Sequence, residues 1–476
     1  MPGTFESHTS RPADGYEPDG FDEAFEPGGQ PRAHYADLIA ALETEDLGQL
    51  GDRVTQLMVE MGVHFGEGTG STFRIDPIPR LIEASEWHAL DRGLVQRMRA
   101  LVAFVADVYG DREIVTAGRV PARAIESADD FEPWMTGVRM PASGFLAGLD
   151  LVRDSDGILR VLEDNTRTPS GLTYVIAARE ALDRHLAAPP RPGDGRLDPL
   201  PAIELLGSAL HRAAPEGVEE PNVVILSDGS DNSAWYEHQR VASALGIPLV
   251  APSELRVRSG RLHADLGDGG SQPVDVVYRR TNVDRLRDPA GATTWLADLL
   301  LDPVRRGVLT VVNPFGSGVA DDKLVHAYVE DMVRFYLHEE PLLESVPTYD
   351  LGEPDVLAEV LPRIDELVVK PRSGLGGEGI VVCPHASRED RDQIRRRVVE
   401  APSSWVAQEM VAISTHPTVI QGRLEPRHVD LRPFVIGGGA KAKAAPGALT
   451  RVAFGKGSLV VNSAQNGGAK DTWVMG

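Results

Sequence analysis

The sequence predicts a mixed α+β protein with several domains, and three observations lead to this class. Residues 36–128 space their apolar side chains at intervals of three and four, which is typical of amphipathic helices. Residues 221–312 alternate apolar runs with helical stretches, which is the pattern of a small parallel βαβ sheet. From residue 313 onward strand-like runs dominate, and a glycine-rich connection interrupts them.

Length and composition exclude several classes of protein. The chain has 476 residues, of which 42% are hydrophobic and 25% charged, so it is globular and long enough for roughly two to four domains. The net charge of −23 opposes phosphate backbones, so we expect no nucleic-acid partner. The single cysteine, Cys383, excludes a disulfide framework and a cysteine-rich zinc site, and it fits a cytoplasmic location.

The N-terminal residues are predicted to form a disordered tail. Residues 1–33 are rich in Pro, Gly, Asp and Glu and contain no apolar run, so we expect neither a signal peptide nor a membrane segment there. A helical region should follow at residues 34–130. Within it, two prolines interrupt the stretch GSTFRIDPIPRLIEASEW, which we therefore expect to be a connector between helices.

The rest of the chain divides where its composition changes. Residues 131–200 contain a strand, a turn at residues 154–157, a second strand ending at Glu163 and then the Pro/Gly-rich stretch LAAPPRPGDGRLDPLP. Residues 201–312 should form the α/β unit. Residues 313–476 should hold the remaining strands and the glycine-rich connection.

The glycine-rich connection, VVKPRSGLGGEGIVV, is the first candidate for chemistry. Gly374, Gly376 and Gly379 match G-x-G-x-x-G, but a strand rather than a helix follows, so a dinucleotide-binding fold is not predicted. A strand–loop–strand hairpin can still close its backbone N–H groups over phosphates, and a plain glycine hairpin is the alternative. Lys370 ends the apolar run before the first glycine and favours the phosphate interpretation.

Asp150, Glu163 and Asn165 form a second candidate site. They lie on the two predicted strands, and Glu163 and Asn165 share a side because side chains alternate along a strand. Carboxylate and amide oxygens suit a Mg²⁺ ion bridged to phosphates. A solvated acidic hairpin is the alternative interpretation.

Basic and polar residues elsewhere complete the candidate set. Arg432 and Arg451 lie in strand-like segments, where they could stabilise a transferring phosphoryl group or pair with acids at a strand edge. Lys323 opens a predicted helix, where the helix dipole disfavours a cation and a bound anion would explain it. Gln408 and Glu409 end a strand and either contact an adenine edge and a ribose or belong to a plain surface.

Taken together, these segments resemble the circularly permuted ATP-grasp proteins of type 2, relatives of glutathionylspermidine synthase. The matching stretches run from about residue 60 to the end and are FRIDPIPRLIEASEW, LVRDSDGILRVLEDNTRTPSG, VDVVYRR, GVADDK, VVKPRSGLGGEGI, HVDLRPFV and NSAQNGGAKDTWV. In an ordinary ATP-grasp chain the E-x-N metal motif follows the nucleotide lysine and glycine loop. Here Glu163-x-Asn165 precedes them, as the permuted family implies.

The resemblance implies a circularly permuted ATP-grasp fold, with two lobes that grip ATP and an inserted small α/β domain of the pre-ATP-grasp kind. It implies an ATP- and Mg²⁺-dependent carboxylate–amine ligase that forms an amide bond through an acyl phosphate. The residues that it implies for the nucleotide are Lys323, Lys370, Ser373, Gly374, Gly376, Gly377, Gly379, Gln408 and Glu409. Those that it implies for magnesium are Asp150, Glu163 and Asn165, and those for catalysis are Arg432 and Lys370.

The identity of the first metal ligand and the identity of the substrates stay open. Asp154 and Asp156 lie between Asp150 and Glu163, so which acid is the first ligand is not decided. The expected partners are a small-molecule or peptide carboxylate and an amine, and a homo-oligomer is a further option. Guanidinium groups match the geometry of carboxylates, so the candidates for binding the acid substrate are Arg74, Arg80 and Arg139.

Two other functions are compatible with the same residues. The site could phosphorylate a small molecule without forming an amide, or bind a nucleotide without turnover. The ligase interpretation predicts a geometry: Glu163 and Asn165 should face Lys370 and the Ser373–Gly379 loop across one cleft, with Lys370 within roughly 15 Å of Glu163. The reason is that a cation that bridges phosphates needs protein oxygens nearby.

Overall fold

The structure is a computed structural model that describes residues 15–66, 71–186, 195–267, 270–374, 379–458 and 467–475. Its helices are α1 Ala36–Leu42, α2 Leu47–Glu60, α3 Ala84–Val108, α4 Glu113–Thr116, α5 Ala122–Glu126, α6 Leu172–His185, α7 Pro201–Arg212, α8 Trp235–Leu245, α9 Asp302–Arg305, α10 Lys323–His326, α11 Val329–Met332, α12 Pro354–Val360 and α13 Arg388–Glu400. Its strands are β1 His64–Phe65, β2 Ser71–Thr72, β3 Ile75–Ile82, β4 Leu146–Arg153, β5 Leu159–Asn165, β6 Val223–Ser227, β7 Leu249–Val250, β8 Leu255–Arg258, β9 Arg261–Asp265, β10 Ser271–Pro273, β11 Val276–Arg280, β12 Thr310–Val312, β13 Thr348–Asp350, β14 Leu367–Pro371, β15 Val381–Val382, β16 Trp405–Glu409, β17 Thr415–Ile420, β18 Arg423–Ile436, β19 Lys443–Ala453 and β20 Gly467–Val474. The mixed α+β class is confirmed.

A large sheet forms the body of the molecule. Its strand order is β3-β20-β19-β18-β4-β5, and β17 pairs with β18 beside this path. Apolar side chains of α3 cover one face, and those of α2 and α6 cover the other. The hairpin β4–β5 thus joins strands from the end of the chain, which brings a carboxylate at residue 163 beside residues numbered above 400.

The stretch predicted as a proline-interrupted connector is instead strand β3, and all of its residues are buried. Pro77 and Pro79 lack an N–H donor, which normally argues against a strand. β3 lies at the edge of the sheet beside β20, where one row of backbone groups needs no ladder partner, so both prolines are tolerated. The helical expectation for residues 34–130 holds for α1 to α5 but not for this segment.

The expectation of a disordered tail is wrong for residues 15–33, whereas residues 1–14 lie outside the described part. Ala24 and Phe25 are buried, and Asp22 accepts a hydrogen bond from the Tyr16 hydroxyl at 2.6 Å. The Glu23 carboxylate accepts from Nε and Nη2 of Arg80, at 2.7 and 2.6 Å. Composition could not show this, because paired charges rather than a long apolar run hold the segment in place.

Deleting residues 1–33 should therefore destabilise the protein. Arg80 is fully buried and would lose Glu23, its carboxylate partner, at a cost of about 3–5 kcal/mol. Thermal unfolding of the full and truncated chains measures the effect, and we expect the melting temperature to fall by several degrees. Glu23→Gln is the matched variant, because it keeps the segment and weakens only the ion pair. Equal melting temperatures for all three proteins would contradict this account.

A small α/β unit packs beside the large sheet. Its parallel strands have the order β12-β11-β6-β7, as the alternating pattern of residues 221–312 predicts. An antiparallel sheet of order β10-β9-β8 adjoins it. The carboxyl ends of β6 and β11 lie side by side at one edge of the parallel sheet, where ligands commonly bind in such sheets.

A further lobe carries Lys370 and the glycine-rich connection. Its antiparallel strands have the order β13-β16-β14-β15, and apolar residues of α12 and α13 form its core with Leu367 and Val369. β14 and β15 pair antiparallel, which confirms the predicted strand–loop–strand arrangement. Throughout the described ranges, no helix combines the length and the apolar character that crossing a membrane requires.

Candidate functional site

A cleft of about 690 Å³ lies between the large sheet and the lobe that carries Lys370. Charged side chains from β4, β5, β14 and β18 converge on it. Its apolar lining consists of Phe65, Val152, Leu162, Val368, Ile380, Val382, Met410, Val411 and Ile413. An apolar surface with a few convergent charged groups is the usual composition of a small-molecule site, and it suits a base joined to phosphates.

Lys370 and Glu163 meet in this cleft. Lys370 Nζ lies 3.7 Å from Glu163 Oε1, so the prediction that the two residues face each other across one cleft is confirmed. The lysine is 5% exposed. Burial lowers the pKa of Lys370, Glu163 partly offsets that lowering, and Lys323 adds to it. Glu163 is the ion-pair partner of this lysine within the described ranges, and at 3.7 Å it leaves the buried ammonium group well placed to bind an additional anion.

The hairpin β4–β5 places the predicted metal ligands side by side. Asp150 is opposite Glu163, and Gly148 is opposite Asn165. The Glu163 side chain is 30% exposed, and the buried Asn165 Nδ2 has no hydrogen-bond partner in the part of the chain that the structure describes. The unpartnered Nδ2 is a donor and fits an acceptor such as a phosphate oxygen, whereas a cation would bind the Glu163 carboxylate and the amide oxygen of Asn165.

Among the described residues, no group of three or more His, Cys, Asp or Glu side chains is arranged to hold a metal by itself. Mg²⁺ usually binds through one or two carboxylates together with substrate phosphates and water rather than in an all-protein cage. Glu163 and Asn165 fit that partial set of ligands.

Asp150 is already engaged by two arginines. Nε and Nη2 of Arg432 donate to its two oxygens at 2.6 and 2.8 Å, and Arg451 Nη2 lies 2.8 Å from Oδ2. Burial alone would raise the pKa of Asp150, but the two arginines outweigh it and hold the pKa at about 2. In this arrangement Asp150 orients Arg432 toward the cleft, and it could serve as a metal ligand only by sharing its oxygens.

Lys323 opens α10, as predicted from the sequence. The Asp322 carboxylate caps this helix by accepting from the Leu324 N–H at 2.8 Å. Arg372 Nε donates to the same carboxylate at 2.8 Å. Lys323 Nζ donates to the Gly374 carbonyl at 3.0 Å, which places the lysine at the start of the glycine-rich connection.

The described part of that connection borders the cleft. Ser373 and Gly374 line it, and Gly379 has a φ of +73°, a backbone conformation that favours glycine. Gly376 and Gly377 lie outside the described residues. It therefore stays a prediction that this loop covers the phosphates of a bound nucleotide.

Gln408 and Glu409 both line the cleft, but each side chain already has partners. Gln408 Nε2 donates to Thr348 Oγ1 at 2.9 Å. The Glu409 carboxylate accepts from the Tyr349 hydroxyl at 2.6 Å and from Arg363 Nη2 at 2.5 Å. Burial would raise the pKa of Glu409, but these two donors lower it. Contact of both side chains with an adenosine stays a prediction, and it would require Glu409 to share its oxygens.

The three arginines proposed for the acid substrate do not line the cleft in the part of the chain that the structure describes. Arg80 is the clearest correction, because Glu23 occupies its guanidinium in the buried interior. Arg74 lies over the Phe454 ring at 3.9 Å. Arg139 is exposed and lies 3.3 Å from Glu216. Residue type alone predicted these candidates, and it does not show which guanidinium already has a partner.

A buried network that the sequence did not reveal lies behind the predicted metal motif. Nε and Nη2 of Arg97 donate to the Asp164 carboxylate at 2.6 and 2.7 Å, and His326 Nδ1 lies 2.7 Å from the same carboxylate. Burial would raise the pKa of Asp164, but Arg97 and His326 hold it well below its usual range. Strand alternation could have revealed the separate role of Asp164, because a residue between Glu163 and Asn165 must point to the opposite face of the strand.

Arg167 is a second residue that the sequence analysis did not single out. It lines the cleft and contacts the carboxylates of Asp130, Asp284 and Asp321 at 3.4, 2.9 and 3.2 Å. Burial raises the pKa of Asp321 to about 6, although Arg167 opposes that rise. The motif TRTPSG contains this arginine, and the residue type fits an anion-contacting loop, but its three acidic neighbours come from distant segments.

Comparison with known proteins adds relatives at high coverage. A Frankia alni protein named "Putative glutamate--cysteine ligase 2-3" is 42% identical over 472 residues, with 96% of this chain and 54% of that protein covered. The chain thus spans about half the length of that relative. A Mycobacterium tuberculosis protein, described as uncharacterized, is 40% identical over 472 residues, with 96% and 84% covered. A Synechocystis protein, also described as uncharacterized, is 40% identical over 478 residues, with 97% and 98% covered.

A solved structure and a family profile agree with the architecture. The apo glutathione synthetase-like effector GSS30 from Globodera pallida superposes with a TM-score of 0.56 at 11% identity, covering 90% of this chain and 98% of that one. At that identity the likeness shows the fold alone. The profile of circularly permuted ATP-grasp type 2 proteins matches residues 79–453. The chain therefore belongs to the circularly permuted ATP-grasp type 2 family.

Proposed function

We propose that the protein is an ATP- and Mg²⁺-dependent ligase that joins a carboxylate to an amine through an acyl phosphate. The observation that carries this proposal is the meeting of Lys370 with Glu163 in one cleft, 3.7 Å apart, beside Asn165 and Arg432. The Frankia relative, of which this chain spans about half the length, carries the name "Putative glutamate--cysteine ligase 2-3", and an amide-forming reaction of that class agrees with the proposal.

The cleft offers separate surfaces for the parts of ATP. Its apolar lining suits the adenine, and Lys323 and Lys370 supply positive charge for the phosphates. Glu163 and Asn165 are the residues that would hold Mg²⁺, and Asp150 could join them by sharing an oxygen. When bound, the ion would neutralise negative charge on the phosphates.

The proposed reaction has two steps. An oxygen of the substrate carboxylate attacks the γ-phosphorus, the bond to the β–γ bridging oxygen breaks, and ADP leaves. The amine nitrogen then attacks the acyl carbon, inorganic phosphate leaves, and the nitrogen gives up a proton. Arg432, oriented by both oxygens of Asp150, would stabilise the charge on the transferring phosphoryl group.

Hydroxylamine trapping tests the proposal. The protein is incubated with Mg²⁺, ATP, hydroxylamine and a panel of amino acids, dicarboxylic acids and short peptides. A ligase of this kind should release ADP and hydroxamate in equal amounts with at least one acid, because hydroxylamine captures an acyl phosphate. ADP and a phosphorylated product without hydroxamate would instead establish phosphotransfer. Nucleotide binding without ADP release for any acid would establish a binding protein.

Replacing Glu163 by glutamine should raise the Mg²⁺ requirement. The substitution keeps the size of the side chain and removes the charge that a hard cation prefers. We expect the Mg²⁺ concentration for half-maximal ADP release to rise by about tenfold or more. Glu219→Gln is the control, because Glu219 is exposed on the α/β unit. Identical Mg²⁺ titrations for wild type and Glu163→Gln would remove Glu163 from the metal site.

A further inference from the structure

A small cavity of about 10 Å³ adjoins the cleft, between the helix α10 and the strands β5, β14 and β16. Polar and charged side chains form most of its lining, and those that it shares with the cleft include Glu163, Lys323, Lys370 and Gln408. His326 lines this cavity but not the cleft. The proposed reaction gives this histidine no role.

The two ring nitrogens of His326 have different surroundings. Nδ1 lies 2.7 Å from the Asp164 carboxylate, which also accepts two hydrogen bonds from Arg97. An ionised carboxylate only accepts, so Nδ1 carries the hydrogen of this bond, and in a neutral imidazole Nε2 is then an acceptor. His326 is 3% exposed, and its Nε2 is buried without a hydrogen-bond partner among the described residues. A buried acceptor of this kind is costly unless a donor reaches it.

The size and the lining of the small cavity point to one water molecule as its occupant. A volume of about 10 Å³ is close to the smallest that holds a water molecule, and it excludes a nucleotide or an amino acid. Cavities that stay dry are apolar, whereas this one is lined mainly by polar groups. A metal ion is not favoured, because the described His, Cys, Asp and Glu side chains form no group of three that could hold one.

Lys370 supplies the donor that such a water needs. The lysine lines the small cavity, and Glu163 at 3.7 Å lies beyond hydrogen-bond distance from its Nζ. A water in the cavity can accept a hydrogen bond from Lys370 Nζ and donate one to His326 Nε2. The two roles are complementary, because the ammonium group only donates and this ring nitrogen only accepts. The second hydrogen of the water is available to the Glu163 carboxylate, which also lines the cavity.

His326 is a firm reference point for a flexible lysine. Its ring is buried and held through Nδ1 by Asp164, whereas the long side chain of Lys370 has many rotamers to lose when a ligand orders it. A hydrogen-bonded link between the two would fix the lysine before the nucleotide arrives, and this lowers the entropy lost on binding.

We propose that His326 is a positioning residue that orients Lys370 through one bound water molecule. The proposal rests on the function proposed above only in that Lys370 contacts the phosphates of the nucleotide. His326 then acts on the nucleotide through the lysine and does not touch it.

Two variants of His326 separate its two ring nitrogens. His326→Asn keeps an N–H donor as far from Cβ as Nδ1 and removes Nε2, so it retains the bond to Asp164 and loses the water link. His326→Gln places a carboxamide oxygen as far from Cβ as Nε2, so it retains an acceptor for the water and loses the bond to Asp164. Calorimetric titration with ATP in the presence of Mg²⁺ measures the affinity, and thermal unfolding measures the stability.

The two measurements should rank the variants in opposite orders. We expect His326→Asn to bind ATP about fivefold or more weakly than wild type, and His326→Gln to bind it within about twofold of wild type. His326→Gln should nevertheless melt at a lower temperature than His326→Asn. His88→Asn is the control, because His88 is exposed on α3 and does not line the cleft. Wild-type affinity in His326→Asn, or affinities that fall in step with the melting temperatures, would overturn the proposal.

A double variant shows whether the effect passes through Lys370. In a Lys370→Ala protein, adding His326→Asn should weaken ATP binding by less than about twofold, because no lysine is left to orient. An equal loss of affinity with and without Lys370 would show that His326 acts by another route, and it would overturn the proposal.

High-resolution crystal structures of unliganded wild type and His326→Asn test the water itself. Wild type should show a water within hydrogen-bond distance of both Lys370 Nζ and His326 Nε2, and in His326→Asn the Lys370 side chain should be disordered or in another rotamer. Absence of that water in wild type, or an unchanged Lys370 in the variant, would overturn the proposal.

These outcomes differ from a failure of the ligase function. If wild type does not bind ATP, the ligase proposal fails, and the orientation of Lys370 in the two crystal structures still decides the role of His326. If wild type binds ATP but forms no hydroxamate with any acid, the ligase proposal fails as well, while the affinities of the variants decide the role of His326.

Discussion

Replacing Lys370 by alanine should reduce ATP-dependent ADP release by roughly 30- to 1,000-fold, which corresponds to about 2–4 kcal/mol of lost transition-state stabilisation. The lysine is buried in the cleft, opposite Glu163 and in the same strand lobe as the glycine-rich connection. Without Lys370, bound phosphates would lose the positive charge that this strand places in the cleft. The measurement is ADP release with the acid identified in the hydroxylamine assay.

The fold should survive this substitution. Burial already lowers the pKa of Lys370, so the charged lysine contributes little to the unliganded protein, and the partly exposed Glu163 can be hydrated when the lysine is gone. Lys443→Ala, at an exposed position of β19, is the matched control and should keep wild-type activity and stability. A Lys370→Ala protein that is folded and releases ADP at the wild-type rate would end the assignment of Lys370 to the phosphates.

Replacing Asp164 by alanine should have the largest effect on stability, about 3–5 kcal/mol. Arg97 is buried and directs two hydrogen bonds at this carboxylate, so the substitution leaves a charge in the interior without its partner. His326 loses the acceptor of its Nδ1 hydrogen as well. Denaturant unfolding of the two proteins measures the difference in the free energy of unfolding.

The same substitution should also impair the metal motif. Asp164 lies on β5 between Glu163 and Asn165, so its anchoring contacts determine how these two side chains enter the cleft. We expect Asp164→Ala to require more Mg²⁺ for activity. Asp156→Ala should not, because Asp156 is exposed in the turn of the same hairpin and is not among the described residues that line the cleft. A stable Asp164→Ala protein with an unchanged Mg²⁺ titration would refute both roles.

The pH dependence of stability should differ between these proteins. Folding lowers the pKa of Asp164, so its contribution is complete above the unfolded carboxyl pKa of about 4 and is lost as the pH falls toward the lower folded pKa. The stabilities of wild type and Asp164→Ala should therefore converge in strong acid. A constant difference between them from pH 7 to pH 2 would show that folding does not lower the pKa of Asp164.

The sequence by itself determined the parts of the protein that local patterns encode. Alternating apolar residues and turn signals predicted the hairpin that carries Glu163 and Asn165, and the apolar run ending at Lys370 predicted β14. The residue types of the E-x-N motif and of Lys370 also predicted that they share one cleft, because a cation that bridges phosphates requires protein oxygens nearby. The structure places Lys370 Nζ 3.7 Å from Glu163 Oε1.

Only the tertiary structure decided which charged groups are already paired. Arg80, Arg432 and Arg279 look equivalent in the sequence, yet Glu23 pairs with Arg80 and Asp150 orients Arg432. Nε and Nη1 of Arg279 have no hydrogen-bond partner among the described residues. The same holds for β3, whose prolines are tolerated because the fold puts it at a sheet edge. The physical reason is that the free energy of a buried charge depends on acceptors brought from distant segments, and local periodicity contains no information about them.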